Sequence, residues 1–212
     1  MAFIGEPKSG KSTLMKSLMH YYAKAGYFKF GLVITGSKFN GDFDFVKNEK
    51  AVWDGYDEAR FIKYFETLQA RAEALHKEDK KMPASFIILD DLLGQLANSD
   101  WLRNTLARFR HFGVTVMLAA QYANDAKGCG SLFKSITDVA FLFPTIMHRG
   151  VVGMYDSWGG YYKNPAEFKQ VLMKIKHTDH ACLLFQKSKK TKEEAYLEFK
   201  CTPAPDNFAL TF

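Results

Sequence analysis

Short apolar runs alternate along this chain with stretches in which apolar residues recur at helical spacing. Ala2-Phe3-Ile4 is an apolar stub of strand that leads straight into a glycine-rich segment. A helix is predicted from Lys11 to about Ala25, with Gly26 as its stop. Phe30–Thr35 (FGLVIT) reads as the next strand, Gly36–Asp44 as a polar loop and Ala51–Trp53 as a short strand. Asp57 caps a predicted helix reaching about His76, in which Phe61, Tyr64, Phe65, Leu68, Ala72 and Leu75 keep the helical period. After the solvated linker Glu78–Pro83 comes a fully apolar strand, Phe86–Leu89. A helix over Asp100–Phe112 and buried strands at Val114–Ala120 and Val139–Phe143 follow. Beyond Pro144 the pattern loosens. A helix is predicted over Pro165–Ile175, then strands Ala181–Gln186 and Ala195–Phe199, which the basic run Lys187–Lys192 joins as a hairpin with a charged turn. Pro203–Phe212 has little periodicity.

Strand and helix in alternation imply a mostly parallel sheet covered on both faces. The 212 residues suit one domain, 1–212, with the part from about residue 177 forming a β-hairpin extension and tail. The 47% hydrophobic and 25% charged residues are those of a chain with an ordinary core. A formal charge of +6 permits a polyanionic partner without requiring one. Cys129, Cys182 and Cys201 are odd in number and widely spaced, so reduced thiols in an intracellular chain are expected. No apolar run reaches the roughly 18–20 residues of a membrane span. Met1–Ile4 is too short for the apolar region of a signal peptide. A soluble, unsecreted chain with no membrane partner is the expectation.

The string GEPKSGKS, Gly5 to Ser12, has the spacing of a phosphate-binding loop: Gly, four residues, then Gly-Lys-Ser. It follows an apolar strand and opens a helix, so backbone N–H groups and the positive helix end can converge on phosphate oxygens. The ATP-binding candidates are Gly5, Glu6, Pro7, Lys8, Ser9, Gly10, Lys11, Ser12 and Thr13. Lys11 is expected to neutralise the β- and γ-phosphates, and Ser12 to place its hydroxyl on Mg²⁺. The second element is FIILDD, Phe86–Asp91. Asp90 ends the buried strand where it can hold the metal, partly through water. Asp91 is placed to polarise the attacking water, one methylene shorter than the glutamate usual in additional-strand ATPases; its competing reading is a helix N-cap. The third is Gln121, a polar side chain at the end of VTVMLAA that can touch both water and γ-phosphate. The expected fold is α/β, a P-loop NTPase of the additional-strand (RecA-like) type, with a mostly parallel central sheet flanked by helices.

This combination resembles the HerA/FtsK superfamily of DNA-pumping ATPases, and within it the genome-packaging ATPases of large double-stranded DNA viruses and virophages. RFRHFGVTVMLAAQY (Arg108–Tyr122) and FKSITDVAFLF (Phe133–Phe143) carry most of the likeness, which spans about Met1–Trp158. Packaging members tend to have an arginine where Lys134 stands, whereas FtsK-type members tend to have lysine. Arg149, in HRGVVGMYDSW, falls near an arginine that FtsK-type proteins place after the corresponding strand. The resemblance implies a ring of five or six subunits, with Arg149, or second Lys134, reaching a neighbour's γ-phosphate in trans. Arg108 and Arg110 are further candidates, with a helix-surface role as the alternative. It also implies sequence-independent contact with double-stranded DNA, a capsid or portal-vertex partner, and location in the host cytoplasm, a virus factory or the virion. Lys38, Lys127 and the Lys187–Lys192 run are the candidate DNA or partner contacts, weighed against plain surface roles.

Two other classes share such a loop. A small-molecule kinase needs an acceptor pocket and usually an arginine-rich lid, and no compact run of several arginines is visible. A non-motor ATP-binding assembly switch would bind nucleotide without moving DNA, and the loop alone does not separate it from a motor.

Overall fold

The computed structural model describes residues 1–96, 99–123, 131–175 and 181–212. Its centre is an eight-stranded sheet ordered β3-β2-β4-β5-β1-β6-β7-β8. The strands are β1 (Ala2–Ile4), β2 (Phe30–Thr35), β3 (Val52–Asp54), β4 (Ser85–Asp90), β5 (Val114–Ala120), β6 (Val139–Leu142), β7 (Ala181–Gln186) and β8 (Tyr196–Lys200). The first six are parallel; β7 and β8 add an antiparallel pair at one edge. Strand β5 sits between β1 and β4, so one strand separates the glycine-rich loop from the two aspartates.

Because successive strand residues face opposite ways, each buried strand feeds two cores. On one face Ile4, Ile87 and Leu89 meet α2 (Glu58–Lys77), α4 (Asp100–Leu106), α6 (His148–Trp158) and α7 (Pro165–Ile175). On the other, Phe3, Phe86 and Ile88 meet Leu14, Met15 and Met19 of α1 (Lys11–Lys24). The short helices α3 (Leu93–Leu96), α5 (Ser131–Ile136) and α8 (Lys192–Ala195) complete the described elements. Cys182 and Cys201 are buried free thiols, and burial pushes the Cys182 thiol up to about 12, so it stays protonated. Among the described residues no helix is long and apolar enough to cross a membrane.

The helix predicted over Asp100–Phe112 is broken. After Leu106 the chain tightens into a 3-10 turn, Phe109–Phe112, which seats the Phe109 ring 5.8 Å from Phe61 and 5.3 Å from Phe65. Helix α6 arises where the pattern had loosened. Gly150 and Gly153 each cost roughly 1 kcal/mol in helix propensity, yet the face they share with Val151, Met154 and Trp158 is buried, so packing decides. The aperiodic tail is also part of the core. Leu210 bridges Val46, Phe208 stacks on Phe45 at 5.4 Å, and the Ala204 N–H reaches Ser17 Oγ at 3.1 Å.

Candidate functional site

The parallel strands all end at one edge, and the candidate chemistry hangs from it. The loop leaves β1 with the Gly5 N–H donating to Ala120 O at 3.1 Å, turns through a Ser9 N–H to Glu6 O bond, and enters α1 at Gly10. Two residues turn it in the left-handed region: Lys8 at φ 63° and Gly10 at φ 101°. At Gly10 a side chain would be strained. Gly5 is constrained by space, because a Cβ there would lie 2.6 Å from the Cβ of Phe143. The Ser9 hydroxyl is buried without a protein partner inside this turn, a donor left for a ligand. Lys11 spans the loop, donating to Gly5 O at 2.7 Å and Glu6 O at 2.8 Å. Burial lowers its pKa, while the charges of Asp90, Asp91 and Glu6 pull it back up.

A cavity of about 150 Å³ brings together Lys11, Ser12, Asp90, Asp91 and Gln121. Pro7 and Lys8 also line it. Asp90 ends β4 and is buried; Asp91, next to it, is exposed and left-handed at φ 52°. A helix N-cap residue typically has extended backbone, which Asp91 does not. Three polar residues of the loop after β2, namely Ser37, Asn40 and Asp42, line the same cavity. The sequence offered only their polarity, which reads the same in a loop facing solvent and in one folded over a site.

Burial, and then the charge of Asp91, pushes the Asp90 carboxyl from 3.8 to about 6; Asp42 adds to this, and Lys11 and a hydrogen bond from Thr35 oppose it. The folded chain therefore keeps a proton that the unfolded chain releases as pH rises from 3.8 to 6, and stability falls across that window. Asp90→Asn is expected to stabilise the nucleotide-free protein above pH 6 by at most about 3 kcal/mol, at roughly 1.4 kcal/mol per pH unit, seen as a higher melting temperature, and to make no difference below pH 3.8. Thermal melts of both proteins at pH 8 and pH 3.5 check this.

The other cations divide by position. Arg149 is exposed in the first turn of α6, just after β6 ends, on the same edge as the phosphate loop. Lys134 lies in the last turn of α5, towards the opposite edge where β6 begins; the next residue, Ser135, accepts a hydrogen bond from Lys187 there. Arg108 packs over the Phe65 ring at 5.0 Å, and Arg110 lines a separate cavity at that far edge with Met1 and Lys187. Lys38 donates to Val52 O at 3.1 Å, tying its loop to β3, so its ammonium already has a structural partner. Lys127 lies outside the described residues.

The donor set suits Mg²⁺ bound with a nucleotide. Among the described residues no group of three or more His, Cys, Asp or Glu is gathered to hold a metal by itself. Magnesium is commonly held by one or two carboxylates with phosphates and water completing its shell, and Ser12 and Asp90 are the residues that would hold it here.

A family profile described as RNA helicase matches residues 1–89, from β1 to just short of Asp90. No curated protein matches the sequence. Among solved structures, the genome-packaging NTPase B204 from Sulfolobus turreted icosahedral virus 2, in complex with ATP-gammaS, is similar at 18% identity and TM-score 0.57 over 94% of this chain and 95% of that one. The pCW3 conjugation coupling protein TcpA is similar at 15% identity and TM-score 0.64, over 99% of this chain and 61% of that one. The cytoplasmic domain of the Thermomonospora curvata type VII secretion ATPase EccC aligns at 18% identity and TM-score 0.63, over 95% of this chain but 25% of its own. The fold and the glycine loop together define a P-loop ATPase. Within that class, the fold is the one shared with B204, TcpA and EccC.

Proposed function

We propose that this chain is an ATP-driven motor that translocates double-stranded DNA, and that its DNA is a viral genome being packaged into a preformed capsid. The observation that carries the ATPase part is the single cavity on which Lys11, Ser12, Asp90, Asp91 and Gln121 converge from three strand ends. Lys11 exchanges its two carbonyl partners for β- and γ-phosphate oxygens, and the Ser9 hydroxyl gains a partner among the same oxygens. Mg²⁺ held by Ser12 and Asp90 would neutralise charge on the phosphates. Asp91 orients and deprotonates the attacking water, and Gln121 holds that water against the γ-phosphate. Arg149 acts on a neighbouring subunit's nucleotide in a homo-oligomeric ring, since it leaves its own helix towards solvent at the strand-end edge.

Packaging is favoured by the likeness to the genome-packaging NTPase B204, together with the Arg108–Tyr122 and Phe133–Phe143 segments that resemble packaging ATPases. The DNA partner is supported by where the charge lies. The connections at the edge opposite the nucleotide cavity (24–29, 76–84, 107–113, 137–138, 159–164 and 187–195) hold twelve Lys and Arg against five Asp and Glu. Elsewhere the signs balance, so a phosphate backbone finds its favourable field at that edge. It includes Lys187–Lys192, of which Lys192 is already paired with Glu167.

ATP turnover measured against protein concentration, with and without duplex DNA of several sequences, tests this reading. The expected result is a steep concentration dependence, stimulation by every duplex, and DNA affinity that falls steeply with salt. No DNA binding at low salt by the assembled protein, or phosphate transfer to a nucleoside acceptor, would contradict it.

A further inference from the structure

Glu6 is an anion inside a loop whose purpose is to hold anions. Its neighbours Pro7 and Lys8 line the phosphate cavity, but Glu6 is not among the lining residues. Its carboxylate is turned aside instead, where Oε1 accepts a hydrogen bond from the Thr145 hydroxyl. The same hydroxyl accepts from the Met147 N–H at 3.1 Å, so both its donor and an acceptor site are used. Thr145 is 3% exposed and follows Phe143, whose side chain packs against Gly5 and Gly10 of the loop. The link from β6 to α6 is thus fitted directly onto the loop. The Glu6 charge is near enough for Lys11 to feel it, so a carboxylate freed from Thr145 can swing towards the same phosphates that Lys11 serves.

We propose that Thr145 is a positioning residue for the triphosphate: its hydroxyl holds the Glu6 carboxylate out of the phosphate cavity. Through the Met147 amide, it also ties the first turn of α6, with Arg149, to the loop. The proposal rests on the nucleotide reading of the site. Thr145→Val keeps the shape and removes the hydroxyl. It is expected to weaken ATP affinity about tenfold through like-charge repulsion, and ADP affinity less because one phosphate is missing. Thr145→Ser keeps wild-type affinity, and adding Glu6→Gln to Thr145→Val restores it.

Nucleotide titrations of the full chain, with melting temperatures alongside, read this out. A defect in Thr145→Val that persists with Glu6→Gln present makes the effect one of shape and overturns the proposal, as does an unchanged ATP affinity in Thr145→Val. Should Thr145→Val fail to fold, Thr145→Ala takes its place in the same comparison: a loss of ATP affinity that Glu6→Gln restores supports the proposal, and any other result overturns it. A wild-type chain that binds no ATP overturns the nucleotide reading itself, a separate outcome.

Discussion

Arg149→Ala is expected to cut ATP turnover of the assembled protein by roughly 10³-fold or more, the range of a trans-acting arginine, while the single chain still binds nucleotide. The reason is positional. Arg149 sits exposed in the first turn of α6 beside the phosphate-loop edge, and that turn is anchored to the loop through Thr145. A permanent charge on a planar fork suits two γ-phosphate oxygens, so Arg149→Lys should recover only a small part of the loss. Mixing gives the decisive comparison. A subunit lacking Lys11 still carries Arg149, and one lacking Arg149 still carries an intact loop, so a mixture of the two inactive variants should regain measurable turnover. Full activity of Arg149→Ala, or no recovery on mixing, would remove Arg149 from this role. Lys134→Ala is expected to change turnover far less, because its helix turn lies towards the opposite edge of the sheet.

What the sequence made legible shares one property: each signal is an unbroken string. Ala2–Ser12, Phe86–Asp91 and Val114–Gln121 each join an apolar strand to its polar end, and a strand buried on both faces needs no partner to announce itself. Phe30–Thr35, Val114–Ala120 and Pro165–Ile175 take the bounds their periodicity predicts. Relations between distant segments were not legible. Nothing linear places β5 between β1 and β4; that order emerges only when the sheet forms. Arg149 and Lys134 read alike as basic residues, and only the direction of β6 puts them towards opposite edges. Asp42 looks like any loop acid until the chain folds back over Asp90. Glu6 and Thr145 meet across 139 residues. Helix α6 was hidden for a different reason, since two glycines dilute its period and burial supplies what propensity does not. The tail was hidden because its contacts use Phe208, Leu210 and Phe212 singly, with no repeat to detect.

The phosphate grip of the Gly5–Thr13 loop is tested most directly by titrating Mg-ATP onto the wild-type chain and onto Lys11→Ala. Lys11 holds two carbonyls at 2.7 and 2.8 Å, and these bonds are to be exchanged for charged phosphate oxygens. Hydrogen bonds between charged groups contribute about 1.5–3 kcal/mol each, so losing two should weaken ATP binding by about two orders of magnitude or more and abolish turnover. A melting curve confirms that the variant is folded. Saturable ATP binding by the wild type, lost in Lys11→Ala, is the expected result. Equal affinity and equal turnover in a folded Lys11→Ala protein would contradict it.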